Sequence, residues 1–277
     1  GGRFCILAPS GLAAITSVNL GLLQQGDELL LPANVYGPSS DMAVNVLPRW
    51  GIDHRVYDPM NPADLAAKIS PRTRLMWLEA PGSVTMEFPD LPALVAVAKA
   101  AGVLVALDNT WGAGLALRAF DLGIDIVMQA LTKYPSGGAD VLMGSVVTRD
   151  EALHLKMLKL HGQLGIGVAA NDAEFILKGL PTMALRYHAH DQAARQLASW
   201  LASQPAVHQV LHPALPGSPG HAHWAASCTA AAGLFSVLLD AALTPAQVDG
   251  FVDALRLFKI GYSWGGPMSL VVPYDLN

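Results

Sequence analysis

Short apolar runs alternate with amphipathic segments through the first two thirds of the chain. Four runs have the length and composition of buried strands: 27–31, 74–78, 103–107 and 124–128. The segments that repeat apolar residues at helical spacing are 12–24, 62–69 and 92–101. Near-continuous apolar strands separated by helices are typical of a parallel sheet covered on both faces. The pattern therefore predicts an α/β fold with a mostly parallel sheet and helices on both faces.

The pattern changes after the Lys-Gly-Leu-Pro sequence at 178–181. A long helix is predicted over 182–203, and a second helix over 245–257. The short strands predicted in this part are 208–212, 233–239 and 259–263. This arrangement indicates a smaller C-terminal α+β domain, so we predict a large domain over 1–180 and a small one over 181–277.

Composition and charge exclude several classes of protein. The 277 residues are 52% hydrophobic and 14% charged, which excludes a disordered chain. The net charge of −5 argues against a nucleic-acid partner, because such proteins carry a basic surface. The longest apolar stretch, 91–107, is interrupted by Pro92, Lys99 and Gly102 and is too short to span a membrane. Two cysteines outside any C-x-x-C pair, with no visible secretory signal, favour a cytoplasmic location.

Candidate chemistry lies just beyond the predicted strands, because ligands of parallel sheets bind past the carboxyl ends of the strands. Asp108 directly follows the run 103–107, and Lys133 follows the next run, 124–128. Taken alone, the two residues are most simply solvated surface charges. The alternative is a lysine that forms a Schiff base with pyridoxal phosphate (PLP), with the acid holding the ring nitrogen of the cofactor.

Two further elements carry weaker signals. Ser10 precedes a predicted helix and is a good N-cap, and a helix N-terminus is also a ready phosphate site. Tyr36 follows the run 27–31 and could stack on an aromatic cofactor, although most tyrosines only pack. His188 and His190 lack a third ligand at helical spacing, so we expect no metal site.

Taken together, these motifs in this order resemble the PLP-dependent enzymes of Cys/Met metabolism, which have fold type I. The matching stretches are GG-x₇-SGLAAI, NVYGPS, LEAPGSVTME, ALDNTWGAG, QALTKYPSGGADVLMG, LHPALPGSPGH and IGYSWGGPMSL. Together they cover nearly the whole chain. The PGS-x-T-x-E and YSWGG sequences favour the β-lyase branch over the γ-synthases and γ-lyases, which usually carry Asn-Pro near the former position.

The resemblance implies PLP as the cofactor and suggests a role for each matching residue. Lys133 would form the Schiff base with PLP and then shuttle the Cα proton of the substrate, while Asp108 would keep the ring nitrogen protonated. Tyr36 would stack on the ring and help to deprotonate the incoming amine. The residues expected at the phosphate are Gly11, Leu12 and Thr132, and those expected at the substrate carboxylate are Ser263 and Trp264.

The implied activity is carbon–sulfur β-elimination within methionine biosynthesis and transsulfuration. The expected substrate is L-cystathionine, cleaved to homocysteine, pyruvate and ammonia. One alternative is a γ-family sister, namely methionine γ-lyase, cystathionine γ-lyase or γ-synthase, where γ-cleavage yields 2-oxobutanoate. The other alternative is a PLP-binding scaffold without catalysis.

The chain also departs from the family pattern. Relatives often have a phosphate-binding Ser three residues before the lysine, where this chain has Ala130. In the family an N-terminal arm supplies a Tyr and an Arg to the neighbouring subunit, and a C-terminal Arg binds the substrate carboxylate. No residue of this sequence matches either, so we expect the central piece of a longer enzyme. The resemblance further implies a homo-oligomer built as a dimer of dimers.

Overall fold

A seven-stranded sheet forms the centre of the computed structural model, which describes residues 1–274. Its strands are β1 (Phe4–Ala8), β2 (Glu28–Pro32), β3 (Asp53–Tyr57), β4 (Thr73–Glu79), β5 (Leu104–Asp108), β6 (Ile126–Ala130) and β7 (Gly144–Thr148). Their order in the sheet is β1-β7-β6-β5-β4-β2-β3. The five strands from β3 to β6 in this order are parallel, whereas β7 is antiparallel to both β6 and β1. All four predicted strands are present, each within two residues of its predicted bounds.

Helices connect the strands and cover the sheet. They are α1 (Gly11–Leu22), α2 (Gly37–Asn45), α3 (Pro62–Lys68), α4 (Leu91–Ala100), α5 (Glu151–Gln163), α6 (Ala170–Leu201), α7 (His221–Ser227) and α8 (Pro245–Asp253). Local sequence fixes where several of them begin. The side chains of Asn61 and Asp90 accept backbone N–H groups at the starts of α3 and α4, and each is followed within two residues by a proline. None of the helices described is long and apolar enough to cross a membrane.

The central strands of the sheet are buried on both faces, as their apolar sequences predicted. In β4, Met76 and Leu78 belong to one hydrophobic cluster, which includes Leu94 of α4. The alternate residue Trp77 belongs to a second cluster, which includes Val18 of α1. Because successive strand residues point to opposite faces, a strand between two helical layers must be apolar throughout. The fold is therefore the predicted α/β arrangement.

The long helix differs from its prediction. It was expected over 182–203, but α6 begins twelve residues earlier, at Ala170, and passes through Pro181. A proline inside a helix cannot donate a backbone hydrogen bond, here to the carbonyl of Leu177. Because Leu177 is exposed, water can take the place of that donor. The buried side chain of Ile176 packs with Leu131 and stabilises the earlier turns. The expected domain boundary at 180/181 therefore falls within this helix, and the division into two domains stays a prediction.

Two small sheets follow the long helix. Strands β8 (Val207–Leu211) and β9 (Ser236–Leu239) pair antiparallel, and β10 (Lys259–Ile260) pairs parallel with β11 (Leu270–Val271). The expected elements are present but mostly shorter than predicted. The strand expected over 259–263 ends after two residues, and the helix expected to reach 257 ends at Asp253.

Gly144 is a position at which the sheet leaves no room for a side chain. A Cβ on this residue would lie 2.3 Å from the carbonyl oxygen of Ser10. We expect Gly144→Ala to lower the unfolding free energy by about 1–3 kcal/mol, because the backbone must shift to admit the methyl group. Denaturant unfolding of the variant measures this effect.

Gly162 of α5 provides the matched control. A Cβ there would meet nothing within 4 Å. Gly162→Ala should therefore leave stability unchanged or raise it by up to about 1 kcal/mol, through helix propensity. Equal stability of the two alanine variants would contradict the close approach of β7 to the start of α1.

Candidate active site

The carboxyl ends of the parallel strands meet at one edge of the sheet, and the predicted acid and amine lie there. Asp108 is the last residue of β5, and Lys133 follows β6 by three residues. The charge of each affects the pKa of the other, which indicates that the two side chains are close. The structure therefore brings together the two residues on which the sequence interpretation depends.

Lys133 also contacts the C-terminal part of the chain. Its Nζ donates a hydrogen bond of 3.0 Å to Oγ of Ser263 and lies 5.3 Å from the centroid of the Trp264 ring. Ser263 has φ of 112°, a region that non-glycine residues rarely adopt. Such strain persists only where the surroundings fix the backbone, and it concentrates at functional sites. The two residues predicted at the substrate carboxylate therefore adjoin the predicted catalytic lysine.

Burial shifts the pKa values of this pair in opposite directions. Desolvation lowers the pKa of Lys133, and the negative charge of Asp108 partly opposes that shift. Desolvation raises the pKa of Asp108, whereas hydrogen bonds from Thr110 and the charge of Lys133 lower it. Lys133 is therefore neutral more often at a given pH than a free lysine, and a neutral amine can act as a nucleophile or a base.

Tyr36 lies at the same edge, and its loop is held by a carboxyl group that the sequence analysis missed. Its backbone N–H donates to Oε2 of Glu79 at 2.7 Å, and the hydroxyl of Ser83 donates to Oε1 of the same side chain. Burial, followed by the charges of Asp108 and Glu79, raises the pKa of the Tyr36 phenol. The phenol is therefore protonated at neutral pH. One sequence signal pointed to Glu79, since it ends β4 as Asp108 ends β5.

The start of α1 lies against the end of β6, just before the lysine turn. The Ser10 hydroxyl accepts the N–H of Ala13 at 3.0 Å, as an N-cap does. A Cβ on Gly11 would lie 2.9 Å from Cβ of Ala130, so the glycine allows the close approach. The N–H groups of the first helical turn have no partner within the helix. The predicted phosphate residues Gly11 and Leu12 therefore lie beside the segment that carries Lys133.

Thr132, the third residue predicted at the phosphate, is engaged with the protein in this structure. Its Oγ1 accepts the backbone N–H of Met143 at 3.1 Å and donates to the Met143 carbonyl at 3.3 Å. These two bonds join the lysine turn to the segment that leads into β7. The hydroxyl therefore holds the turn, and its role toward a phosphate stays a prediction.

A second residue that the sequence analysis missed as a site residue is Arg186 of α6. Its guanidinium donates to the carbonyl oxygen of Tyr134 at 2.7 Å and to that of Gly179 at 2.9 Å. A Cβ on Gly137 would lie 2.4 Å from Cζ of Arg186, so the guanidinium packs directly on the turn after the lysine. No local motif in the sequence points to this contact, because it joins residues about fifty positions apart.

The donor set fits PLP. Asp108 offers an anionic acceptor for a ring nitrogen, and Lys133 offers an amine of lowered pKa for an aldehyde. The backbone N–H groups of Gly11 and Leu12, which precede the capped Ala13 at the start of α1, are donors for a phosphate. Tyr36 lies beside the carboxyl groups of Asp108 and Glu79. It is 43% exposed and offers a ring face for stacking. Within residues 1–274, no cluster of His, Cys, Asp or Glu is arranged to hold a metal ion.

Comparisons with known proteins agree with this chemistry. The profile of the Cys/Met metabolism PLP-dependent enzyme family matches residues 1–274. A cystathionine β-lyase of Bordetella avium is 42% identical over 271 residues, which cover 98% of this chain and 67% of that protein. Cystathionine β-lyase MetC of Escherichia coli is 38% identical over 275 residues, covering 98% and 69%.

A solved structure adds a comparison of the folds. It is a cystathionine γ-synthase of Xanthomonas oryzae in complex with aminoacrylate and cysteine. The TM-score is 0.94 at 32% identity, and the match covers 98% of this chain and 69% of the other. The sequence relatives thus include β-lyases, whereas this structural neighbour is a γ-synthase.

The pairing of Asp108 with Lys133 can be tested through the amine. We expect Asp108→Asn to lower the pKa of Lys133 further, because a neighbouring carboxylate favours the ammonium form. Competitive labelling with an amine reagent over a pH series, read by peptide mass, measures that pKa. Asp140→Asn changes an exposed acid of the following turn and is the matched control. If the pKa of Lys133 were the same in both variants, the charge of Asp108 would not act on Lys133, and the proposed pairing of the two residues would be wrong.

Proposed function

The chain belongs to the Cys/Met-metabolism family of PLP-dependent enzymes, and on that premise we propose that it is a carbon–sulfur β-lyase acting on L-cystathionine. The observation that carries the proposal is the partly buried pair of Lys133 and Asp108 at the carboxyl edge of the sheet. The family, the fold class and the PLP cofactor implied by the sequence motifs are confirmed by the family profile and by the solved relatives.

Different residues would bind different parts of the cofactor. When bound, PLP provides a ring that withdraws electrons and stabilises negative charge on the substrate Cα. Asp108 would hold the proton on the ring nitrogen, since a carboxylate in contact with a cation favours the charged form of the cation. Tyr36 would stack on the ring, and Gly11 and Leu12 would donate N–H groups to the phosphate.

Lys133 moves the proton in the reaction that we propose. Its lowered pKa makes the neutral amine more available than in a free lysine, and that amine takes the proton from the substrate Cα. The bond between Cβ and sulfur then breaks, its electron pair stays with sulfur, and the sulfur takes up a proton from the Lys133 ammonium group and leaves as homocysteine. The remaining three-carbon fragment reacts with water to give pyruvate and ammonia. Ser263 and Trp264 contact the lysine, which supports their proposed role in binding the substrate carboxylate.

The proposed role of Tyr36 as a base for the incoming amine needs a cation beside it. Its raised pKa keeps the phenol protonated at neutral pH in the cofactor-free chain. A protonated phenol is a hydrogen-bond donor and cannot accept a proton. A positive charge nearby would lower the pKa of the phenol and restore that capacity.

Attachment of the cofactor is tested by borohydride reduction in the presence of PLP, followed by peptide mapping. We expect the label on Lys133, because burial makes its amine reactive. Lys133→Ala should lose the label and at least about a hundredfold in elimination rate, the usual loss for a general base. Lys156→Ala, at an exposed position of α5, is the control. Label on another lysine would overturn the assignment.

An unreduced sample of the same PLP-loaded chain distinguishes the alternatives by product. β-Elimination from L-cystathionine gives pyruvate together with homocysteine, whereas 2-oxobutanoate would indicate a γ-family enzyme. A chain labelled at Lys133 that releases no thiol would support the non-catalytic scaffold. The choice of the β-lyase branch is supported by the names of the sequence relatives and by Ser83, which stands near the position where the γ enzymes usually carry Asn-Pro.

We further propose that the chain self-associates. Large apolar side chains are exposed close to the lysine turn, among them Leu142 (68% exposed) and Leu177 (67% exposed). Their sequence neighbours Val141 and Ile176 are buried together with Leu131, which places the exposed pair beside the site. Exposed apolar surface of this kind is typical of a protein interface. A second copy of the chain is the partner that the family resemblance implies.

Light scattering on a size-exclusion column tests this association. We expect a dimer or tetramer, and Leu177→Lys should shift it toward the monomer, because a charge in an apolar interface loses its hydration. Leu257→Lys alters another exposed leucine, 84% exposed and outside this surface, and is the matched control. A monomeric wild-type chain at micromolar concentration would contradict the proposal.

A further inference from the structure

Two carboxyl groups end neighbouring strands at the active-site edge. Glu79 is the last residue of β4 and is paired in register with Asp108, the last residue of β5. Residues paired in register on parallel strands project to the same face of the sheet. Glu79 is only 9% exposed, whereas Asp108 is partly open to the cleft. The proposed function gives a role to Asp108 and none to Glu79.

Glu79 joins the two loops that flank it. Its Oε2 accepts the backbone N–H of Tyr36 at 2.7 Å, and its Oε1 accepts the hydroxyl of Ser83. The backbone N–H of Ser83 in turn donates to the carbonyl oxygen of Asn34 at 2.9 Å. The loop before α2 and the loop after β4 are therefore tied together through one buried carboxyl group.

The surroundings of Glu79 favour its neutral form. The ionisable groups that face it are the Tyr57 phenol from β3, Asp108 from β5, Glu87 from the loop after β4 and Tyr36 before α2. In the described residues 1–274, the charged groups that shift the pKa of Glu79 are acids, whereas the cation Lys133 acts on Asp108. Desolvation, followed by the charge of Asp108, raises the pKa of Glu79 to about 8. Its hydrogen bonds from Ser83 and Tyr36 oppose this shift.

We propose that Glu79 is a positioning residue of this site: it fixes the loop that carries Tyr36, and it holds a proton so that Asp108 alone bears the negative charge. Two carboxylates on adjacent strand ends would repel each other and raise the cost of ionising Asp108. A neutral Glu79 removes that repulsion: its proton lies on Oε1, within the hydrogen bond to the Ser83 hydroxyl, and Oε2 still accepts the Tyr36 N–H. This inference rests on the proposed function only for the use of PLP as a probe.

The protonation of Glu79 beside an ionised Asp108 is tested in the cofactor-free full chain by carbon-13 NMR of the glutamate carboxyl groups. The chain has only five glutamates, so the titration of each can be followed. We expect one midpoint near pH 8, absent from Glu79→Gln and retained in Glu87→Gln, which removes a neighbouring acid without a side-chain hydrogen bond in the described structure. Asp108→Asn should move that midpoint to lower pH, because it removes a negative charge that raises it.

Either of two NMR results would overturn the proposal that Glu79 holds a proton. One is a titration midpoint of Glu79 in the ordinary range for glutamate, at about pH 4.3. The other is a raised midpoint that Asp108→Asn leaves unchanged. If Glu79 had only a structural role, its titration midpoint would not change when Asp108 on the neighbouring strand is replaced.

The positioning role is tested by PLP affinity, followed through quenching of tryptophan fluorescence. Glu79→Ala should weaken binding about tenfold or more, because the Tyr36 N–H and the Ser83 hydroxyl lose their acceptor. Glu79→Gln keeps an acceptor oxygen and should stay within about threefold of the wild type. Equal affinity of both variants would refute the positioning role.

The control measurements separate this inference from the proposed function. Circular dichroism shows whether the alanine variant folds, and if it does not, the glutamine variant and the NMR midpoints decide. Should the wild-type chain fail to label at Lys133 with PLP, the proposed function fails while the Glu79 midpoint is still measured. If PLP labels Lys133 but the titration midpoint of Glu79 is in the ordinary range, only the inference about Glu79 fails.

Discussion

Burial of ionisable groups at one edge of the sheet is the constraint on which the site depends. Moving a carboxylate or an ammonium group out of water costs several kcal/mol unless a partner compensates it. Lys133 and Asp108 compensate each other, and Glu79 is compensated by two hydrogen bonds and by a raised pKa. Since these three groups extend from consecutive strands or the turn after them, the parallel sheet sets their separation and their reactivity together.

The backbone around Lys133 is fixed from outside the sheet. Arg186 of α6 binds the carbonyl oxygen of Tyr134, and the Tyr134 phenol accepts the N–H of Gly233 at 2.7 Å. A Cβ on Gly179 would lie 2.2 Å from the carbonyl oxygen of Pro135, so the helix passes directly over the turn. A side chain that must exchange partners during catalysis benefits from a rigid support, because only its own torsions then change. This contact also explains why the helix continues past the glycine and proline at which the sequence predicted a boundary.

Periodicity predicted the parts of the fold that obey a local rule. The strands from β2 to β6 that are apolar on both faces were identified within two residues, and their tips located Asp108 and Lys133. Periodicity did not predict the edge strand β3, because most of its residues are polar or exposed, nor the antiparallel strands β1 and β7. Of the site, the sequence indicated the residues of the recognised motifs. It could not indicate the contact of Lys133 with Ser263, which joins residues 130 positions apart.

The departure at Ala130 has a limited effect for a structural reason. The backbone N–H of Ala130 donates to Oγ1 of Thr110 at 2.9 Å, and the N–H of Thr110 donates to Oδ1 of Asp108 at 2.9 Å. The tips of β5 and β6 are thus linked through Thr110 and the backbone of residue 130. A serine there would add a hydroxyl for the phosphate, but the link does not use the side chain. The placement of the acid relative to Lys133 therefore does not depend on the side chain at position 130.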